Sequence, residues 1–290
     1  MAGSRNLAGR LEQALGAAVG DVRSLGGQHG VAHYRLELPG GRAAFAKIAG
    51  DGAADPGFAA EASGLRWLAG ADAVAVPEVL GWDDGLLALS WIPPGRPDEH
   101  AARRFGQELA ALHAAGADRF GAPWPGVIAG LPLPNAAAAG ATWPDWYVSA
   151  RLLPYLRRAR DEDLLSAADV RLIESAAARA AALAGPPEPP SRIHGDCWSG
   201  NIIWSGGRGW LVDPAAHGGH RETDLAMLAL FGVPFLDQIR AGYQERAPLA
   251  DGWPERVPLH QLHPLLVHVC LFGAAYTEAV LSASWAVLSR

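Results

Sequence analysis

Lysine is almost absent from this chain: of its 24 Lys and Arg side chains, Lys47 alone is lysine. In a sequence that so strongly prefers Arg, a retained Lys marks a place where a compact ammonium is wanted and a planar guanidinium does not fit. The competing explanation is drift at a solvated strand position. Cysteine is scarce too: Cys197 and Cys270 are too few for a disulfide scaffold and suit a reducing compartment. Positive charge is not in excess, and a net charge of -6 with scattered Arg argues against a nucleic-acid partner. The start, from Met1 to Glu12, lacks an apolar signal core, and no later run reads as a bilayer span free of charges and helix breakers. The expectation is a soluble cytoplasmic protein. No internal repeat is found, and the low-complexity patch Ala136–Ala139 carries no chemistry.

The 290 residues, half of them apolar, suit one two-lobed domain or two small ones. Their chemistry is concentrated between Arg192 and Pro214. His194-Gly195-Asp196 is followed five residues after the Asp by Asn201, then by the apolar run Ile202-Ile203-Trp204, and Asp213 ends a second short apolar strand. This is the layout of a kinase phosphoryl-transfer centre. The first Asp orients or deprotonates the attacking hydroxyl, and the Asn and second Asp hold the magnesium ions that bridge nucleotide phosphates. Each part alone is weak, because HGD is common and an Asp at a strand end is usually a turn or cap residue. The ordered set carries the signal. His194 reads as a loop-shaping hydrogen-bonder, and Gly195 stands where regulated protein kinases carry an Arg that meets an activation-loop phosphate, so no phospho-switch of that kind is expected.

In chain order, residues 1 to 20 read as a helix with Leu7, Leu11, Leu15 and Val19 on one face. The Gly-rich turn Gly26-Gly27-Gln28-His29-Gly30 precedes a strand over Val31–Leu38, and Lys47 lies in a further strand over Ala43–Ile48. The turn is not GxGxxG, so a phosphate-covering role for Gly26, Gly27 and Gly30 rests on position alone. Beyond the loop Ala49–Pro56, a helix over Phe58–Ala69 buries Phe58, Ala62, Leu65 and Leu68, and Glu61 is placed to pair with Lys47 unless it is a solvated surface acid. Strands are expected over Val74–Leu80 and Gly85–Trp91. The Pro-rich exit at Ile92–Gly95 is read as the adenine-binding hinge, served by backbone groups of Ser90, Trp91 and Ile92, and as the boundary between an N-lobe (1–94) and a C-lobe (95–290). Helices are then expected over Asp98–Ala115, Trp143–Leu156, Ser166–Leu183, Glu222–Phe231, Leu262–Ala274 and Tyr276–Leu288, with Phe120–Gly140 and Ala215–Arg221 as loops. The fold class is α+β, a two-lobed protein-kinase-like fold with a small β-rich N-lobe and a larger, mainly helical C-lobe.

The runs HGDCWSGNIIW and LVDPAAHGGHRETDLAMLALFG resemble the fructosamine kinase (ketosamine 3-kinase) family within the aminoglycoside phosphotransferase-like superfamily. Trp198-Ser199-Gly200 is the discriminating triplet, and the likeness extends over nearly the whole chain, through Leu109–His113, Phe120-Gly121, Leu133–Asn135, Trp143–Leu152 and Leu259–Gly273. The resemblance implies ATP between the lobes with Lys47 on its phosphates, Asp196 as catalytic base, and Asn201 with Asp213 on Mg2+. It places Trp198 beside the sugar of the acceptor, and Arg221, Glu222 and Asp224 near the acceptor pocket; a salt-linked loop closing onto the following helix is an equal reading of those three. It implies transfer of the γ-phosphoryl group to a ketosamine hydroxyl, as a repair of early glycation. The partners expected are a free or protein-bound ketosamine, no nucleic acid and no membrane, in a monomer or weak dimer. Other acceptors of the superfamily, such as aminoglycosides or choline-like alcohols, and a non-catalytic nucleotide-binding pseudokinase are the rival readings. Two departures stand out: Cys197 replaces the family's usual Leu and reads as a buried inert thiol, and His220 replaces its usual Asp, where a contact is lost.

Overall fold

The computed structural model describes residues 2–28, 30–50 and 54–290, with side chains from Leu7 onward. Met1 in the expected first helix, His29 in the Gly-rich turn and residues 51–53 in the loop beyond the Lys47 strand lie outside the described residues.

The chain opens with α1 (Ala2–Leu15) and builds a five-stranded antiparallel sheet from β1 (Val22–Gln28), β2 (Val31–Leu38), β3 (Arg42–Ala49), β4 (Val79–Asp83) and β5 (Leu86–Ser90), in the order β1-β2-β3-β5-β4. α2 (Pro56–Ala69) is inserted between β3 and β4. Side chains alternate across a strand with period two, and both faces of this sheet are used. Ala44, Ala46 and Ile48 of β3, with Leu86 and Ala88 of β5, pack beside Leu11 of α1. Leu87 and Leu89 instead join Phe58, Ala62 and Leu65 of α2. Parity therefore sends Lys47 to the α2 face. Pro56 at the first helical position and Asp55, whose carboxylate accepts the Gly57 N–H at 2.8 Å, fix where α2 begins.

The expected strand Val74–Leu80 begins later, at Val79, because Pro77 has no N–H to give a ladder. Ala75 instead bridges forward to Trp210, its carbonyl accepting the Leu211 N–H at 2.9 Å. Past the sheet, the Gly95 N–H donates to Trp204 O at 2.6 Å, a second tie between the sheet's exit and the segment that follows Asn201.

α3 (Glu99–Ala114) runs from its Asp98 cap, whose side chain accepts the Ala101 N–H, and buries Ala102, Phe105, Leu109 and Leu112 completely. A short hairpin, β6 (Gly126–Ile128) and β7 (Leu131–Leu133), lies in the segment expected to be loop, since three-residue strands are too short to show periodicity. The helix expected over Trp143–Leu156 is α4 (Trp143–Tyr147), a π-helical turn over Val148–Leu152, and α5 (Leu153–Asp161). α6 (Ala167–Ala177), held by a Ser166–Asp169 capping box, and α7 (Ala180–Leu183) replace the single helix expected there.

The chemistry-bearing segment is β8 (Ser191–Ile193), β9 (Ile202–Ser205), β10 (Arg208–Leu211) and β11 (His217–Gly219). β9 pairs with β10 and β8 with β11, both antiparallel, so part of the expected Ala215–Arg221 loop is strand. α8 (Glu222–Leu230) follows, and then α9 (Leu236–Arg246), a helix the sequence reading lacks. α9 lies unusually close on α3: a Cβ at Gly106 would stand 1.9 Å from Ile239 O, and one at Gly242 2.0 Å from Arg103 O, so each helix supplies the glycine the other needs.

α10 (Trp253–Phe272) and α11 (Thr277–Leu288) close the fold. Pro258 and Pro264 lie inside α10 without ending it, so that helix begins nine residues before the expected Leu262. Within Trp253–Leu288 an 18-residue window has mean hydropathy 1.6, apolar enough by length and composition to cross a membrane, although the stretch also carries the charges Glu255, Arg256 and Glu278 and the breakers Pro258, Pro264 and Gly273. Here Leu259, Leu262, Leu266 and Val280, each at most 1% exposed, pack into the largest core cluster with Tyr147, Leu152 and Ile173. Each such buried aliphatic side chain is worth roughly 1.5–3 kcal/mol.

Candidate active site

Lys47 reaches across to α2 and donates to both carboxylate oxygens of Glu61, at 3.0 and 2.8 Å. It also donates to Asp213 Oδ1 from the far side of the cleft. Burial alone works against the ammonium, but Glu61 and Asp213 outweigh it and push the Lys47 pKa up. One ammonium cannot serve two carboxylates equally. Asp213 is drawn below its usual range, since the pull of Lys47 outweighs burial, whereas burial and the neighbouring Asp213 hold Glu61 up at about 8. Lys47 is thus a paired cation at the mouth of the cleft, not a solvated strand residue.

The loop after β8 is shaped from beneath. Asp224 of α8, fully buried, accepts the backbone N–H of His194 at 2.8 Å and of Gly195 at 2.9 Å, and its Oδ2 also meets His113 Nε2 at 3.1 Å. His113 Nδ1 in turn meets Tyr243 OH at 2.8 Å, joining α3 and α9 to the loop. His194 does the shaping expected of it. Its Nε2 donates to Val212 O at 2.9 Å and its Nδ1 accepts the Asp196 N–H at 3.3 Å, which defines one tautomer. Gly195 has φ 81°, and a Cβ there would stand 2.3 Å from Ala215 O. An arginine is excluded at this position by sterics as well as by chemistry. Cys197 is fully buried and burial pushes its thiol pKa up, as expected of an inert cysteine.

Asp196 emerges from this loop only partly covered. Burial, opposed by the Asn201 hydrogen bond and reinforced by Asp213 and Asp224, raises its pKa to about 7. Asn201 Nδ2 donates to Asp196 Oδ2 at 2.8 Å and to Asp196 O at 2.9 Å, and approaches Asp213 O at 3.5 Å. Asp213 takes a left-handed φ of 51°, a conformation Asp tolerates better than most residues, at the end of the short return from β10. Lys47, Asp213, Asn201 and Asp196 therefore form one unbroken chain of contacts. With Nδ2 committed to Asp196, Asn201 Oδ1 takes no hydrogen bond among the described residues, and the Asp213 side chain is 46% exposed. A hard, oxygen-only donor pair of this kind fits Mg2+.

The Gly-rich turn is the tip of the β1–β2 hairpin, with Gly26 at a register shift in β1 and Gly30 in a left-handed turn. A Cβ at Gly27 would stand 2.4 Å from Val31 O, so this glycine answers to the hairpin's own backbone. At the hinge, the Ser90 N–H is spent on Glu78 O at 2.8 Å and the Trp91 N–H on Ala43 O at 3.2 Å. Neither N–H is free to donate to an adenine edge, so only the carbonyls of these two could serve there. Among the described residues no acceptor takes the Ile92 N–H.

Two of the four substrate candidates turn inward completely. Glu222 is 3% exposed and held bidentately by Arg256 at 2.8 and 2.5 Å, and Asp224 serves the catalytic loop. Arg221 forks onto Glu188 at 2.8 and 2.7 Å and onto the carbonyls of Ala247 and Pro248. These are the contacts of a salt-linked loop closing onto a helix, and the three are corrected to supporting residues. His220 replaces what the departure seemed to lose: its Nδ1 accepts the Glu222 N–H at 3.2 Å at the start of α8, as a short acidic side chain would. Trp198, by contrast, is 37% exposed. Its ring lies over Gly200, where a Cβ would stand 2.3 Å from it, which explains the Gly of the WSG triplet. Beyond Trp198 a wall of rings continues through Phe231, His268, Tyr276 and Phe272, with centroids 4.7 to 6.5 Å apart. His113, Tyr243 and this wall adjoin the candidate site, and sequence reasoning left them out; only Leu109–His113 carried a signal.

An antiparallel sheet bearing a Lys–Glu pair, set against a helical body bearing the HGD loop, is the architecture of the protein-kinase-like phosphotransferases, and solved structures agree. The ADP-bound aminoglycoside phosphotransferase APH(2'')-Ib shares the fold at a TM-score of 0.66 over 96% of this chain and 97% of its own, with 14% identity. The profile of the fructosamine kinase family matches residues 5–289, and the chain belongs to that family. A crystal structure from Thermobifida fusca, named as a candidate fructosamine-3-kinase, is 51% identical with a TM-score of 0.94, covering 98% of this chain and 99% of that one. Proteins named probable ketoamine kinase from Klebsiella aerogenes and Synechocystis sp. are 34% and 35% identical, each over 76% of this chain and over 77% and 75% of their own lengths. The chain is an ATP-dependent phosphotransferase of this family.

Proposed function

We propose that the protein transfers the γ-phosphoryl group of ATP to a sugar hydroxyl of a ketosamine, the 3-hydroxyl in the family's chemistry, with the nucleotide held between residues 1–94 and 95–290. The observation that carries this reading is the unbroken contact chain from Lys47 through Asp213 and Asn201 to Asp196.

Asp196 accepts the proton of the attacking hydroxyl as its oxygen bonds to phosphorus and the bond to ADP breaks. A carboxylate whose pKa is raised to about 7 suits that work near neutral pH, and a positioned base contributes roughly 10²–10⁴-fold. Asn201 keeps the Asp196 carboxylate turned toward the cleft. Lys47, steered by Glu61, grips the phosphates. Asn201 and Asp213 would hold Mg2+, which when bound neutralises charge on the bridging phosphate oxygens. Trp198, two residues beyond Asp196 in the chain, offers an exposed ring, and sugars pack well on such faces. The 3-phosphate product destabilises the sugar-amine linkage and lets the adduct fall away, so the reaction repairs early glycation.

The test is ADP release with ribulosamine, fructosamine and erythrulosamine acceptors beside an aminoglycoside and a choline-like alcohol. Turnover confined to the ketosamines is the expected result. Turnover of the other alcohols alone would replace the proposed acceptor, and none with any acceptor would favour a nucleotide-binding module. Asp196→Ala should abolish ADP release while still binding nucleotide.

A further inference from the structure

Arg151 is a fully buried guanidinium, 1% exposed, with no carboxylate partner among the described residues. Its position has a local cause. Pro154 has no N–H to offer Ala150 O, and the chain answers with the π-helical turn Val148–Leu152, in which the Leu153 N–H reaches back to Val148 O. Such turns gather at functional positions. Here Arg151 folds inward and donates to the freed Ala150 O at 3.1 Å, to Asn135 Oδ1 at 3.0 Å and to Pro134 O, with its guanidinium 4.3 Å over the Trp146 ring. Those partners are neutral dipoles and a π face. A desolvated charge so placed costs several kcal/mol unless an opposite charge joins it, and burial accordingly draws the Arg151 pKa down to about 9.

Beside it is a small internal cavity lined by Arg151, Trp146, His217, His263, Gly195 and Gly219, directly behind the catalytic loop. It leaves about 10 Å³ to the centre of a water-sized sphere, room for one small occupant and none for phosphate or a carboxylic acid. Two buried nitrogens of its lining residues, Arg151 Nε and His263 Nε2, have no hydrogen-bond partner among the described residues. His217 and His263 are kept neutral, first by burial and then by Arg151, so the guanidinium is the one cation there among the lining residues.

We infer that Arg151 and His263 bind a single monovalent halide-class anion in this cavity, so that the charge behind the catalytic loop is balanced by a small ion in place of an acidic side chain. A water molecule would fill the same space and satisfy the same donors without offsetting the charge, and that difference is what experiment can read.

Crystals of the intact chain soaked in sodium bromide should show an anomalous peak in the cavity within contact of Arg151 Nε and His263 Nε2. In solution, replacing sodium gluconate by sodium chloride at constant ionic strength should raise the wild-type Tm by about 3 °C or more, with saturation. Arg151→Met should remove the chloride response, and if that variant does not fold, the two wild-type measurements decide alone. A cavity peak without anomalous signal, bromide confined to the surface, or equal Tm in chloride and gluconate would each overturn the assignment.

Discussion

Asp224 and Gly195 are joined by one hydrogen bond that organises the catalytic loop: the buried Asp224 carboxylate accepts the Gly195 N–H at 2.9 Å while its other oxygen takes the His194 N–H at 2.8 Å. Asp196 is the next residue, so the aim of the proposed base is set from the α8 side.

Asp224→Asn places an amide NH2 against one of two backbone N–H donors. The hydrogen bonds at stake, made to a charged group, are worth about 1.5–3 kcal/mol, and a displaced loop costs on the order of 10²-fold in rate. Steady-state kinetics should show kcat falling by that order with the KM for ATP little changed. Wild-type kcat in a folded Asp224→Asn variant would show that the loop holds its shape without this support.

Gly195→Ala meets two penalties at once, a left-handed φ of 81° and a Cβ 2.3 Å from Ala215 O. Strain and overpacking together predict a loss of about 2–5 kcal/mol in denaturant unfolding. A loss under 1 kcal/mol would mean that the Ala215 segment ahead of β11 yields easily.

Lys47→Arg keeps the charge but replaces a compact ammonium that serves Glu61 and Asp213 together with a planar fork. ADP release should fall roughly 10²-fold, near the level of Lys47→Ala, as when one charge-stabilising donor is removed. Full activity in Lys47→Arg would leave the single lysine of this chain without a functional explanation.

Two contributions to stability are lost on the acid side, one after the other. Burial, then His260, holds His220 at about 3 against an ordinary 6.5, so below 6.5 the unfolded chain binds more protons and folding loses ground as pH drops toward 3. In Glu222 burial is outweighed by the Arg256 and His260 contacts, which lower its pKa to about 2 from 4.5. Its contribution is present above 4.5 and lost as pH falls toward 2. Glu61 and Asp196, raised to about 8 and about 7, work the other way over the same range, so the readout is a comparison with variants: between pH 6.5 and 4 His220→Phe should lose less unfolding free energy than wild type, and equal losses would contradict the His220 assignment.

Gly106→Ala tests the α3–α9 crossing, since the added methyl would stand 1.9 Å from Ile239 O. Overpacking predicts a loss of about 1–3 kcal/mol, with Tm as the readout. Tyr243 lies on α9 and supports His113, so activity should fall as well.

Much of this was open to reading because it is local. Period-two alternation puts Lys47 opposite the Ala44 and Ile48 face, helical spacing puts Glu61 among Phe58, Ala62 and Leu65, and the HGD-to-Asn spacing is short enough for one loop to join both ends. α9 went unseen because its contact with α3 is made by glycines, which carry no hydrophobic pattern, and α10 was cut short because Pro258 and Pro264 look like helix stops in isolation.

By itself the amino-acid order determined the alternation of the sheet, the helix faces, and which few oxygen donors and which one ammonium were available for chemistry, since those depend on side-chain type and on neighbours within a turn or strand. Only the tertiary structure decided which acids face the cleft and which stand behind it. Glu222 and Asp224 sit two residues apart near the head of one helix and read alike in a row of letters, yet one is spent on Arg256 and the other on the backbone of the catalytic loop. Their partners come from residues about 30 positions away, and a carboxylate's role follows from the donor that desolvates it.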